Sequence, residues 1–130
     1  MNPHIKPTST DKAPEAIGPY SQALSVANLV FTSGAIALRP DGSFVEGDIK
    51  AQSAQVMQNL KAILEASDSD MQSVIKTTCF LANMDDFAAF NEVYADAFEG
   101  HKPARSTIAV KTLPKNALVE VEAIAVKKPR

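Results

Sequence analysis

The sequence has a single cysteine, Cys79, and no tryptophan. One cysteine rules out an internal disulfide, which disfavours a small secreted scaffold. No apolar run approaches the roughly 18 residues that a membrane-spanning helix needs. The first residues, MNPHIKPTSTDK, lack the charged and then apolar layout of a signal peptide. We therefore expect a soluble, cytoplasmic protein with no membrane partner.

The sequence also lacks an excess of charge of either sign. Its 13 basic and 15 acidic residues give a formal charge of -2, so no net positive field attracts nucleic acid, and we expect no such partner. The two histidines, His4 and His101, have no cysteine or clustered carboxylates at ligand spacing, so we expect no metal. The phosphate-loop pattern Gly-x-x-x-x-Gly-Lys is absent as well.

The remaining composition is that of an ordinary globular protein. With 130 residues, 45% of them hydrophobic and 22% charged, the chain fits one domain over residues 1–130. Four of its 8 prolines fall within the first twenty residues, and none lies between Asp41 and Lys102. Because proline breaks helix interiors, this proline-free stretch is predicted to contain the helices.

The first half of the chain predicts a hairpin followed by a helix. Residues 22–38, QALSVANLVFTSGAIAL, are rich in β-branched and apolar residues, which indicates two short strands with a tight turn at Asn28. Asp41-Gly42 is a turn signal. A helical period runs from Asp48, the predicted N-cap, to Ser67. Its predicted buried stripe consists of Ile49, Ser53, Val56, Met57, Leu60, Ile63 and Leu64.

The second half predicts a strand, a helix and two further strands. Residues 73–83, SVIKTTCFLAN, have the β-branched and aromatic content of a buried strand. A helix follows from Asp85 or Asp86 and ends at Gly100. Residues 105–110 and 118–126 flank TLPKN and are predicted to pair as an antiparallel hairpin. The stripe predicted for the helix consists of Phe87, Phe90, Tyr94, Ala97 and Phe98.

The predicted hairpin brings a guanidinium beside a carboxylate. With a loop centred on residues 112 and 113, antiparallel pairing sets Thr107 against Leu118 and Arg105 against Glu120. One interpretation is a cross-strand ion pair on a solvated sheet face. The other is a pocket in which Arg105 binds an anionic ligand and a neighbouring glutamate acts on water. The spacing alone leaves both open.

Three further features carry candidate residues. Asn91 places a polar amide within the apolar stripe of the second helix, where it either forms a structural hydrogen bond to a nearby loop or lines a pocket. GPYS at residues 18–21 and TSG at residues 32–34 indicate turns whose glycines permit close backbone approach. Cys79 lies mid-strand with no evident histidine partner, which indicates a buried inert thiol rather than a nucleophile.

Several blocks, taken in order, resemble the RidA/YjgF family of imine and enamine deaminases. The resemblance runs from about Ala13 to Val126, and its most specific part is PARS followed by LPK and VEVEAIAV. It implies an α+β, chorismate-mutase-like fold, with a single mixed sheet packed by two helices. It also implies a homotrimer with ligand pockets between subunits. The matching blocks are APEAIGPYSQAL, VFTSG, NLKAILEAS, VIKTTCFLANMDDFAAFNEVYADAF and PARSTIAVKTLPKNALVEVEAIAV.

The resemblance also implies an activity and a set of site residues. The activity is that of a 2-iminobutanoate/2-iminopropanoate deaminase, which hydrolyses imines and enamines such as 2-aminoacrylate to 2-keto acids and ammonia without a cofactor. Arg105 is implied to bind the substrate carboxylate and Glu120 to hold the attacking water. Thr107 stands where the family usually has cysteine, at a position whose backbone approaches the ligand. The residues implied to line or shape the pocket are Tyr20, Ser33, Gly34 and Asn91.

Other functions are compatible with the same pocket. One is a regulatory protein that binds 2-keto acids without turnover. Another is a ribonuclease or translation inhibitor, a role assigned to some relatives, although the slight negative charge and the lack of a basic, aromatic-rich stripe weigh against it. A third is a purely structural trimer or a chaperone-like surface.

Overall fold

The computed structural model describes residues 1–129 as one six-stranded mixed sheet with two helices. The predicted α+β class, with a single mixed sheet and two helices, is therefore confirmed. The strand order across the sheet is β1-β2-β3-β6-β4-β5. The helices are α1 (Ile49–Ala66) and α2 (Phe87–Phe98), and the strands are β1 (Ile5–Thr8), β2 (Ala23–Val26), β3 (Leu29–Thr32), β4 (Val74–Leu81), β5 (Ala104–Ala109) and β6 (Val119–Val126).

The predicted elements of the first half are all present. Strands β2 and β3 pair as a hairpin closed by the turn at Ala27 and Asn28, where Ala27 adopts a left-handed φ of 52°. The side chain of Asp48 caps α1 by accepting a hydrogen bond from the backbone N–H of Ala51 at 2.9 Å. All seven residues of the predicted stripe are buried. Helix α1 therefore packs on the sheet through the face that its period predicted.

Strand β4 and helix α2 also follow the prediction. Phe90, Tyr94 and Phe98 are buried on α2, while Phe87 and Ala97 are partly buried. The helix ends at Glu99 and Gly100, both with positive φ, where glycine relieves the steric cost of a left-handed residue. The two helices contact each other and cover one face of the sheet.

Strand β1 was not predicted. It lies in the proline-rich N-terminal stretch and pairs with β2, with Pro7 opposite Leu24. Proline removes a donor from a strand, which is tolerated at a sheet edge because the missing N–H can be the one that faces away from the neighbouring strand. Proline content therefore marked this segment as irregular although it forms an edge strand.

The predicted hairpin between the last two strands is wrong. Strand β4 lies between β5 and β6, pairing parallel to β5 and antiparallel to β6. The connection through α2 makes β4 and β5 a strand–helix–strand unit, whose strands are parallel. The connecting segment, residues 110–118, is not a tight turn, because it contains the buried Leu113 and a 3-10 helix at Pro114–Asn116.

In the described part of the chain, no helix lies over the second face of the sheet. Four large apolar side chains on this face, which we call the open face, are more than a third exposed. A sheet face with this apolar content is typical of a surface that another protein surface covers. Within residues 1–129, no helix combines the length and apolar character needed to cross a bilayer. The four exposed residues of the open face are Leu24, Val26, Phe31 and Ile108.

Candidate functional site

The two residues that the sequence placed side by side lie on opposite faces of the sheet. Arg105 pairs across the ladder with Thr77, which is buried on the helix-covered face, whereas Glu120 pairs with Phe80 on the open face. Two strand spacings, roughly 10 Å, also separate their backbones laterally. The predicted pairing of Arg105 with Glu120 and of Thr107 with Leu118 is therefore wrong, because the sheet places β4 between the two strands.

The first group of candidate residues lines a cleft beside β6. The cleft has a volume of about 820 Å³, and Tyr20, Ser33, Gly34 and Glu120 are among the residues that line it. Tyr20 is 54% exposed, so its ring is available at the mouth. A cleft of this size exceeds a small keto acid several-fold and can admit both a ligand and a covering surface.

Gly34 makes room for the Glu120 carboxylate. A Cβ added at Gly34 would overlap the carboxyl group of Glu120. The backbone here bulges between the end of β3 and the isolated bridge in which Ala35 and Val121 exchange two hydrogen bonds, of 2.9 and 3.1 Å. Glycine is therefore required by close approach of a side chain rather than by an unusual backbone angle.

Hydrogen bonds from side chains hold the loops around this cleft. The Ser33 hydroxyl donates to the backbone oxygen of Ser21 at 2.6 Å, which ties the TSG segment to the segment that carries Tyr20. The buried Gln22 amide donates to the backbone oxygens of Thr10 and Pro14 and accepts from the Thr10 N–H. Ser33 thus acts on the shape of the cleft through the backbone.

The surroundings of Glu120 favour its protonated form. Burial raises the pKa of the Glu120 carboxyl above its ordinary value of 4.5, and the like charge of Glu122 raises it further. A carboxylate whose pKa is raised is a better proton acceptor near neutral pH than an exposed one. The position is therefore suited to general base chemistry.

The second group of candidates surrounds Arg105 at the edge strand β5. The guanidinium donates a hydrogen bond of 2.7 Å to the side-chain oxygen of Asn91. Its Cζ lies 5.3 Å from the centroid of the Phe87 ring and 4.8 Å from that of Tyr94. Residues 87, 91 and 94 occur at i, i+4 and i+7 along α2, so one helix face supplies all three contacts.

Asn91 therefore hydrogen-bonds to a side chain of strand β5 and not to a loop, and its predicted place in the lining of a pocket stays a prediction. Its hydrogen bond to Arg105 fixes the direction of the guanidinium. Within residues 1–129, the only ion pair at salt-bridge distance joins Lys50 and Glu92, so none of these residues gives Arg105 a carboxylate partner. A guanidinium has five N–H donors, which leaves most of them available to an anionic ligand.

Thr107 follows Arg105 on the same face of β5. Its Oγ1 is buried, and it has no hydrogen-bond partner among the described residues. It pairs across the ladder with Cys79, and burial raises the pKa of the Cys79 thiol. A buried thiol with a raised pKa is a poor nucleophile, as the sequence predicted.

Residues 1–129 contain no group of three His, Cys, Asp or Glu side chains able to hold a metal ion.

The contacts of Phe87 and Tyr94 with the Arg105 guanidinium were not predicted from the sequence. Both were assigned to the buried stripe of the second helix, and both contact Arg105 from that stripe. The available signal was the polar Asn91 between two aromatic residues on one helix face. Such a pattern indicates that a polar or charged group packs against the helix.

Comparisons with known proteins point to one family. The family model described as Endoribonuclease L-PSP matches residues 10–127. The chain is 51% identical over 118 residues to Reactive Intermediate Deaminase A, chloroplastic, of Arabidopsis thaliana, covering 90% of this chain and 63% of that protein. It is 46% identical over 125 residues to the 2-iminobutanoate/2-iminopropanoate deaminase of Mus musculus, covering 95% and 93%.

Solved structures agree with the sequence matches. The crystal structure of yeast Mmf1 superposes with a TM-score of 0.93 at 47% identity, covering 95% of this chain and 99% of that one. Since one of the relatives is chloroplastic, the cytoplasmic location expected from the sequence stays a prediction.

Proposed function

The chain belongs to the YjgF/RidA family, and from this premise we propose that it is a 2-iminobutanoate/2-iminopropanoate deaminase. Two relatives at 46% and 51% identity carry deaminase names. The observation that carries the proposal is the guanidinium of Arg105, which Asn91 orients and which has no carboxylate partner among residues 1–129. This group is suited to binding the carboxylate that every 2-imino acid carries.

We propose that two subunits complete each site. Arg105 and Glu120 project from opposite faces of one sheet, so a substrate of a few atoms cannot contact both within one chain. In a homotrimer, Arg105, Asn91 and Thr107 of one subunit would meet the Glu120 cleft of its neighbour. The uncovered apolar residues of the open face support association with further copies.

In the proposed reaction, Arg105 binds the carboxylate through two parallel N–H donors and thereby fixes the imine carbon. Glu120, as its carboxylate, accepts a proton from water while the water oxygen adds to the carbon of the protonated imine. The carbinolamine nitrogen then takes up the proton held by Glu120, and the carbinolamine hydroxyl gives up its proton as the C=O bond forms and the C–N bond breaks. Nitrogen leaves as ammonia and takes up the released proton. The sum is protonated imine plus water giving 2-keto acid plus ammonium, which requires no cofactor.

An enamine substrate needs one earlier step. A compound such as 2-aminoacrylate gains a proton at carbon and becomes 2-iminopropanoate, to which water then adds. The supply of such enamines is expected from pyridoxal-phosphate dehydratases acting on serine or threonine. Because the uncatalysed hydrolysis is already feasible, positioning of substrate and water supplies most of the required acceleration.

The test is a coupled assay of pyruvate release from enzymatically generated 2-aminoacrylate. The wild-type protein should accelerate release, and Arg105→Ala should abolish the acceleration. Glu120→Gln keeps the side-chain shape while removing the base, so it should lose turnover and retain binding of 2-oxobutanoate. Wild-type turnover in either variant would remove that residue from the proposed mechanism.

The same experiments separate the alternatives. Binding of 2-oxobutanoate without any acceleration would select a regulatory protein. Salt-dependent RNA binding, with cleavage lost in Arg105→Ala, would select a ribonuclease. A chaperone-like activity that survives loss of Arg105 would select a purely structural role or a chaperone-like surface. The formal charge of -2 supports a small-molecule substrate over RNA.

A further inference from the structure

Tyr94 connects Arg105 to the buried core. Its ring centroid lies 4.8 Å from the Arg105 Cζ, and the residue is only 8% exposed. The face of an aromatic ring attracts a cation, and the attraction grows as water is excluded. The guanidinium of Arg105 thus packs on the ring of a buried side chain.

The hydroxyl of Tyr94 fixes the orientation of its ring. It is hydrogen-bonded to the Thr77 hydroxyl at 2.7 Å, and Thr77 is fully buried. Thr77 is also the residue that faces Arg105 across the β4–β5 ladder. Thr77, Tyr94 and Arg105 therefore contact one another in pairs. Thr77 pairs with Arg105 across the strands, the Thr77 hydroxyl is hydrogen-bonded to that of Tyr94, and the Tyr94 ring contacts the Arg105 guanidinium.

Neighbouring aromatic rings restrict the Tyr94 ring further. The Phe98 ring centroid lies 4.7 Å from it and the Phe90 centroid 5.5 Å from it, both in tilted geometry. Arginine has a long side chain with many rotamers, and a single hydrogen bond to Asn91 sets one direction only. A fixed ring face supplies the second constraint, which determines the plane of the guanidinium.

We infer that Tyr94, anchored by Thr77, is a positioning residue that sets the plane of the Arg105 guanidinium for two-point binding of the substrate carboxylate. This inference rests on the proposed function for its kinetic consequences and on geometry alone for the orientation of Arg105. Because the ring already contacts the arginine before substrate binds, we expect it to act on binding rather than on the chemical step. Its loss should therefore raise KM and leave kcat unchanged.

The experiment compares Tyr94→Leu, Tyr94→Phe and Thr77→Val with a control, Val30→Ala. Removing the ring should raise KM about tenfold, and releasing it by Tyr94→Phe or Thr77→Val should raise KM about threefold. In each case kcat should stay within about twofold. Val30→Ala removes buried apolar volume on β3, which β6 and β4 separate from the strand that carries Arg105, so it should lower stability and leave KM unchanged.

Two measurements separate this inference from the proposed function. In an Arg105→Ala background, Tyr94→Leu should cause no further weakening of 2-oxobutanoate binding, because the residue acts through the arginine. The Nε–Hε resonance of Arg105, assigned by its loss in Arg105→Ala, should lose the part of its ring-current shift that Tyr94 causes in Tyr94→Leu and keep the full shift in Val30→Ala.

The outcomes are distinguishable. If Arg105→Ala leaves 2-oxobutanoate binding unchanged, the proposed carboxylate site fails, while the resonance still tests the orientation of Arg105. If Arg105→Ala weakens 2-oxobutanoate binding but Tyr94→Leu does not raise KM, or if Val30→Ala raises KM as much as Tyr94→Leu, the positioning role is overturned. An unshifted Arg105 resonance in the wild-type protein would also overturn it.

Discussion

Arg105 and Glu120 project from opposite faces of the same sheet, with strand β4 between the strands that carry them. Neighbouring residues hold each side chain in place. Arg105 contacts Asn91 and two aromatic rings, and the Glu120 carboxylate occupies the space that Gly34 leaves open. The chemistry that their residue types favour requires them to meet at one small molecule. Contact between copies of the chain is therefore the central expectation that follows from this geometry.

Mixed oligomers should recover activity that neither parent variant has. Arg105→Ala and Glu120→Gln are each expected to be inactive alone. When the two are refolded together in equal amounts, about a quarter of the sites should combine an intact arginine with an intact glutamate from the neighbour, restoring about a quarter of wild-type turnover. Turnover of the mixture is compared with that of each variant refolded alone.

Mixing the two folded variants without exchange of subunits is the control, and it should stay inactive. A mixture that remains inactive after verified subunit exchange would contradict the two-subunit site.

A charge on the open face should dissociate the protein. Phe31→Glu and Ile108→Glu place a carboxylate among apolar residues that are 41% and 49% exposed in the single chain. Burying an unpaired charge between copies is costly, so light scattering should show the mass fall from that of a trimer to 13.9 kDa. Met84→Glu, a 43% exposed residue outside the sheet, should keep the wild-type mass. Activity should fall with dissociation.

Gly34→Ala should displace the Glu120 carboxylate. The added Cβ occupies the space of that group, so turnover should fall about tenfold or more through loss of the positioned base. Gly42→Ala is a useful contrast, because Gly42 has a φ of +90° and a Cβ added there would meet no atom of a more distant residue within 4 Å. That change should lower the free energy of unfolding by about 1 kcal/mol through backbone strain and leave turnover intact. Steady-state kinetics and urea denaturation on both variants provide the test.

The activity should fall on acidification at a pH set by Glu120. Burial and the charge of Glu122 raise the Glu120 pKa above 4.5, and only the carboxylate can accept a proton from water. The acid limb of the kcat/KM profile should therefore lie above pH 4.5. Glu122→Gln removes the like charge and should move that limb to lower pH. A limb that Glu122→Gln leaves in place would assign it to another group.

The raised pKa of Glu120 should also make the protein less stable at neutral pH than at low pH, which is opposite to its effect on activity. The folded protein holds the Glu120 proton more tightly than the unfolded chain does. The stabilising contribution of Glu120 is therefore fully present below the unfolded pKa and is lost as the pH rises through the folded pKa. Glu120→Gln should gain stability relative to the wild type over that range, measured as the difference in urea midpoints at low and neutral pH.

Two buried threonine hydroxyls should respond differently to the same substitution. The Thr107 hydroxyl is buried and has no hydrogen-bond partner among residues 1–129, so Thr107→Val should change the free energy of unfolding by less than about 0.5 kcal/mol and leave kcat/KM within about twofold. The Thr77 hydroxyl has Tyr94 as its partner, so Thr77→Val should cost about 1 to 2 kcal/mol. A large loss of turnover in Thr107→Val would mean that the hydroxyl itself reaches the substrate.

Helices, caps and turns could be predicted from the sequence where the residues that determine them lie close together in the chain. The helical period of α1, its Asp48 cap and the β2–β3 turn depend on residues within a few positions of one another. Strand β1 was missed because its prolines indicate irregular structure unless the strand is known to lie at an edge. The pairing of β5 with β4 depends on how α2 packs, which no local pattern reports.

The sequence by itself determined the order of the elements, the faces of both helices and the residue types available for chemistry, because these follow from periodicity and side-chain character. Tertiary structure decided which strands are neighbours, and so placed Arg105 and Glu120 on opposite faces. It also decided that α2 turns Asn91 and Tyr94 toward Arg105, since a contact between distant segments depends on the packing of the whole sheet.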